Sequence, residues 1–176
     1  MNKIGIIREG KTPPDKRVPL VPHQCKELLE TYPDVQLFVQ PSLVRAIPES
    51  EYEKAGAVIR EDLSNCDLLI GVKEVPEADL IPGKTYMFFS HTFKKQPYNR
   101  SLLNTILEKK ISLVDYEVLT AENGSRILGF GRYAGIVGAY NTLRAAGIKW
   151  NSYDLKSAHE CEGIGEVNEE LKKVRL

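Results

Sequence analysis

The sequence predicts an α/β domain of three layers, a mostly parallel sheet with helices on both faces. Short apolar runs alternate with helix-like segments along the chain, the order expected of a sheet built from strand-helix-strand units. The apolar runs lack polar alternation, as in strands buried on both faces. No repeat of fixed period and no low-complexity segment interrupts the pattern.

The first strand is Ile4-Gly5-Ile6-Ile7, followed by a proline-rich loop over residues 11–22. Residues 23–31 read as a helix with apolar Leu28 and Leu29, and residues 35–39 as a second strand. A short helix over 49–55 leads to a short strand over 57–60. Two strongly apolar strands follow, 67–72 and 85–90, and end at Lys73 and His91. Residues 99–109 read as a helix and 111–116 as a strand. Glu122-Asn123-Gly124-Ser125 signals a turn. Residues 133–146 read as a long apolar helix rich in small residues. After Gly147 the chain turns polar, with a helix-like stretch only over 165–174, and it stops at Leu176 in a way that reads as an interruption.

Composition excludes several function classes. Lys plus Arg number 24 and Asp plus Glu number 24, so no global field favours nucleic acid. Cys25, Cys66 and Cys161 are far apart and odd in number, which suggests neither a zinc cage nor a disulfide framework. A reducing cytoplasm is the expected setting. The N-terminal apolar run is too short for a signal peptide, and none approaches the ~20 residues of a membrane span. No HExxH, GxSxG or P-loop is present, and no metal site is expected.

In open α/β sheets, ligands sit beyond the carboxyl ends of the strands. Lys73 and His91 occupy two such ends, so they share one crevice if their strands are neighbours. A lysine and a histidine in a partly dry cleft can accept and return protons around an amine or imine. The same positions also suit a solvated loop lysine and a capping histidine. Arg17 lies in a loop stiffened by prolines and could grip a carboxylate with its guanidinium fork, or simply be a surface arginine. The run Gly129-Phe130-Gly131-Arg132-Tyr133-Ala134-Gly135 imitates a dinucleotide fingerprint, but no buried strand precedes it. Close packing at the start of a helix is the expected role of its glycines.

The ordered set Arg17-Val18-Pro19-Leu20-Val21-Pro22, Gly71-Val72-Lys73-Glu74, Phe89-Ser90-His91-Thr92 and Asp115-Tyr116-Glu117, with the glycine run after it, resembles saccharopine dehydrogenases and the lysine-ketoglutarate reductase domain. These belong to the wider alanine dehydrogenase and transhydrogenase alpha-subunit superfamily. The resemblance implies the N-terminal lobe of a two-lobed enzyme: residues 1–132 as the substrate-side lobe, and residues 133–176 as a crossing helix and the start of a Rossmann domain. The rest of that domain, with the NAD or NADP site, is expected beyond Leu176, so this chain alone should hold no cofactor and turn over nothing. The implied reaction is reversible oxidation of a secondary amine, saccharopine to lysine and 2-oxoglutarate. Lys73 is then the base for the amine proton and His91 the acid/base for water addition and imine breakdown. Glu74 and Glu117 tune this pair by negative charge, and Arg17 with Lys94 holds a substrate carboxylate. The implied partners are an amino acid or 2-oxo acid, the Rossmann domain and, through an exposed domain-facing surface, a second copy of the chain; nucleic acid and membrane are not among them. Two alternatives stay open: an alanine dehydrogenase-like lobe, and a non-catalytic ligand- or protein-binding module derived from the same fold.

Overall fold

The computed structural model of the chain describes residues 2–174. Met1 and the final two residues, where the sequence reads as interrupted, lie outside the described part. Contacts divide the chain into two units, Met1–Leu128 and Gly129–Leu176.

The first unit is built on six strands: β1 (Lys3–Ile6), β2 (Gln36–Val39), β3 (Val58–Ile59), β4 (Leu68–Ile70), β5 (Thr85–Phe88) and β6 (Ser112–Asp115). They form one sheet in the order β3-β2-β1-β4-β5-β6, and every neighbouring pair is parallel. The chain therefore winds outward from β1 to β3, then crosses back and winds the other way from β4. The winding direction changes between β1 and β4, the place where open sheets form a ligand crevice.

The period of two sorts the side chains onto two cores. Ile4 and Ile6, Leu37 and Val39, Leu68 and Ile70 face helices α1 (Pro22–Thr31) and α2 (Glu49–Lys54), against Cys25 and Tyr52. Ile7, Phe38, Leu69, Tyr86 and Phe88 face the other way, where Leu102 and Ile106 of helix α3 (Arg100–Glu108) cover them. Helices thus lie on both faces of the sheet. The absence of polar alternation in the strands has this cause: each face has its own apolar cover.

Strand ends fall short of the apolar runs. The fourth strand stops at Ile70 rather than at 72, and the fifth at Phe88 rather than at 90. Gly71 and Phe89 still donate across to Met87 and Val72, both at 3.0 Å. Beyond that the amides of Val72 and Lys73 leave the ladder for a side chain described below.

The second unit holds helices α4 (Gly131–Trp150) and α5 (Ile164–Leu171), joined around a small core of Tyr140, Leu155 and Val167. The helix read over 133–146 is longer at both ends, and Asn151 in the left-handed conformation (φ 48°) stops it. Close packing at the glycine run does not hold among the described residues. A Cβ built at Gly129, Gly131 or Gly135 meets nothing within 4 Å, and no strand leads into the run. Gly147 is the glycine in this unit that close approach requires: a Cβ there lies 2.4 Å from the Tyr153 carbonyl oxygen and 2.6 Å from its ring. Gly147→Ala is expected to destabilise this unit by about 1–3 kcal/mol through overpacking against backbone, read as a lowered thermal midpoint. No helix among the described residues is long and apolar enough to cross a membrane.

Candidate active site

Because β4 and β5 are neighbours, the residues that leave their carboxyl ends meet. Lys73 Nζ lies 3.3 Å from His91 Nε2. On the other side of the ring, His91 Nδ1 lies 3.0 Å from Glu117 Oε2, carried by the segment after β6. Three consecutive strand exits thus supply an ammonium, an imidazole and a carboxylate in a line.

Glu117 is the anchor of this line. Its side chain is only 4% exposed and also receives Lys94 Nζ at 2.7 Å and Arg126 Nη2 at 3.3 Å. The Lys94 ammonium foremost, then the bond to His91, pulls its carboxyl down to about 2. Glu117 is therefore ionised at any working pH and can only accept. Nδ1 of His91 must then carry a proton and donate it, and the opposite ring nitrogen, Nε2, faces Lys73 Nζ.

His91 is held in the left-handed backbone region, φ 55° and ψ 11°, at a cost of about 1–2 kcal/mol for a residue with a Cβ. A buried network holds it there. Asp115 Oδ2 accepts from Ser90 Oγ at 2.5 Å, and Asp115 Oδ1 accepts from the Glu117 amide at 2.8 Å. Ser90 Oγ, having donated, accepts from the Thr92 amide at 3.1 Å and from Thr92 Oγ1 at 2.7 Å. Asp115 thereby ties the exit of β5 to that of β6. Asp115→Ala leaves a buried amide without its acceptor and is expected to cost about 1–3 kcal/mol. A lowered urea midpoint with unchanged slope is the measurement.

Glu74 stands beside the line: its Oε1 is 3.8 Å from His91 Nε2, and its Oε2 accepts from Lys11 Nζ at 2.8 Å. Arg17 gives its Nε edge to Asp15, at 2.9 and 3.1 Å, and its Nη2 to the same carboxylate. Arg17 holds the Asp15 carboxyl below its ordinary range. One edge of the Arg17 fork thus grips Asp15, and Lys94, the other residue expected at a substrate carboxylate, pairs with Glu117.

Four participants were not legible as site residues. Arg126 comes back because the turn at 122–125 folds the chain on itself, pairing Thr120 with Arg126. The turn signal is legible in the sequence, but which side chain it returns to Glu117 is not. Lys11 and Asp15 sit in the proline-rich loop with no distinguishing signal. Glu9, two residues past the first apolar run, accepts from the amides of Val72 and Lys73 at 2.7 and 2.8 Å. Among the described residues no group of His, Cys, Asp and Glu is arranged to hold a metal ion.

An ordered set of motifs on this sheet invites comparison with known proteins. Residues 5–137 match the family model described as alanine dehydrogenase/PNT, N-terminal domain. The chain belongs to this family. Among its relatives, the mitochondrial alpha-aminoadipic semialdehyde synthase of Bos taurus is 42% identical over 146 residues, covering 83% of this chain and 16% of that protein. The saccharopine dehydrogenase [NAD(+), L-lysine-forming] of Emericella nidulans is 32% identical over 144 residues, covering 78% of this chain and 38% of that protein. The chain thus spans well under half the length of either relative. A solved L-alanine dehydrogenase superposes with a TM-score of 0.69 at 18% identity, over 97% of this chain and 51% of that one. The alanine dehydrogenase/PNT N-terminal fold is therefore shared even where sequence has diverged widely.

Proposed function

We propose that this chain is the substrate-side lobe of an NAD(P)-dependent dehydrogenase acting on a CH–NH secondary amine, with saccharopine, or lysine and 2-oxoglutarate in the reverse direction, as substrate. The observation that carries the reading is the Lys73–His91–Glu117 line at the strand ends. The lysine-forming relative supports the choice of substrate over alanine.

Among the described residues no strand leads into the glycine run, as a dinucleotide fingerprint requires. The hydride acceptor is therefore assigned to a second domain, and only proton steps are assigned here. In the oxidative direction Lys73, as the free amine, takes the N–H proton while the adjacent C–H bond is oxidised to an imine. Lys73 gives that proton back to the imine nitrogen as water adds to the imine carbon, and His91 Nε2 takes a proton from the water. His91 returns its proton to the nitrogen as the C–N bond breaks, and the hydroxyl proton passes to Lys73, releasing amine and 2-oxo acid. Glu117 stabilises the imidazolium formed between these steps, as a buried carboxylate does beside a catalytic histidine.

The test is titration of lysine, 2-oxoglutarate and saccharopine into this chain and into a version extended through the following domain, read by heat and by NAD(P)H absorbance. Turnover by the extended chain alone supports the reading. An extended chain inert toward all three, beside a short chain that binds another ligand, sinks it.

A further inference from the structure

We propose that Glu9 is a positioning residue for Lys73, clamping the backbone of the lysine through two amides at the crevice where the sheet changes winding direction. The inference rests on the dehydrogenase reading only where it speaks of turnover.

The sequence places Glu9 just beyond β1, and the strand order puts β1 beside β4, so a carboxylate leaving one strand faces the chain leaving the other. Its two oxygens each take one amide, Oε1 from Val72 at 2.7 Å and Oε2 from Lys73 at 2.8 Å. These amides lie just past the end of β4, so the clamp gives acceptors to two donors that have left the ladder. Gly71 permits the approach: a Cβ there would lie 3.3 Å from Glu9 Oε1 and 2.8 Å from the Ile7 side chain.

The chemistry selects a carboxylate. Each of the two N–H donors meets its own oxygen, and a carboxylate offers an acceptor at both positions. A carboxamide of the same shape accepts one and confronts the other with its own N–H. Burial is the main influence on the Glu9 carboxyl and raises it, while the two amide bonds act in the opposite sense. The arrangement fixes the Cα of Lys73, hence the origin of the side chain that reaches His91. Displacement of a reacting group by about 1 Å can cost on the order of 10²-fold in rate.

The experiment uses Glu9→Gln in two settings. In this chain, amide exchange and 15N shifts are followed at Val72 and Lys73, with the 15N shift of His91 Nε2 as the reporter of the side-chain contact. One of the two amides is expected to exchange about tenfold faster or more, and the His91 Nε2 signal to move. In the enzyme extended by its second domain, kcat is expected to fall about 10- to 100-fold with KM changed less than about twofold. Wild-type exchange at both amides together with an unmoved His91 signal overturns the clamp, as does wild-type kcat in an active extended enzyme. If the extended wild type is itself inactive, the proposed function fails and the signals from this chain alone decide the clamp. Should Glu9→Gln not fold, Glu9→Asp keeps the charge but is one methylene too short to reach both amides, and the same signals decide.

Discussion

Replacing Lys73 by methionine is expected to lower kcat of the extended enzyme by about 10²–10⁴-fold, the range for loss of a positioned acid/base. Methionine keeps an unbranched, flexible stem of similar length but cannot hold a proton. Lys73 Nζ lies 3.3 Å from His91 Nε2, and as the free amine it is the group that takes the proton of the reacting nitrogen. Its loss also removes a donor from Nε2, leaving the imidazole free to accept from water. A split is therefore expected: the oxidative step slows most, while imine hydrolysis, carried by His91, slows less. Single-turnover measurement separates the two, because oxidation reports through NAD(P)H absorbance and hydrolysis through release of 2-oxoglutarate. A variant that keeps wild-type kcat would remove Lys73 from the reaction and leave the contact with His91 a structural one.

The parts of this architecture that could be read from the sequence are those in which a residue's role depends on its immediate neighbours. The apolar runs announced buried strands because neighbouring side chains of opposite parity are both hydrophobic, as Leu68 and Leu69 are. Lys73 and His91 stood out because each follows such a run directly. What could not be read depends on which strand lies beside which. Glu9 acts on Val72 and Lys73 only because β1 borders β4, an adjacency between segments more than sixty residues apart. The engagement of Arg17 by Asp15 is local, two residues apart, yet an Asp-Lys-Arg sequence in a polar loop reads as solvated charge. Lys94 shows the converse: its position in the motif was visible, but its partner Glu117 depends on β6 lying beside β5.

Glu117→Gln should change both stability and chemistry, and the pH dependence distinguishes its cause. The folded chain holds the Glu117 carboxyl at about 2, against 4.5 ordinarily, because Lys94 and then His91 bind its ionised form. A group whose value is depressed on folding contributes stability that is fully present above the unfolded value and is lost as pH falls through the folded one. The wild type should therefore exceed Glu117→Gln in stability by a constant margin at neutral pH, and the margin should shrink between pH 4.5 and about 2. Urea midpoints of both proteins at several pH values across this window give the margin directly. A margin that stays constant down to pH 2 would mean that the carboxylate's charge contributes nothing. Catalysis should fall further than stability suggests. A glutamine that turns its N–H toward His91 Nδ1 forces the ring proton onto Nε2, the nitrogen that faces Lys73. The wrong tautomer then faces substrate. The expected loss is about 10²-fold or more in kcat, since the asparagine exchange in the serine protease triad, which has the same logic, costs about 10⁴. The two readouts are independent: the acid margin tests the charge of Glu117, and the rate tests the orientation it gives to His91.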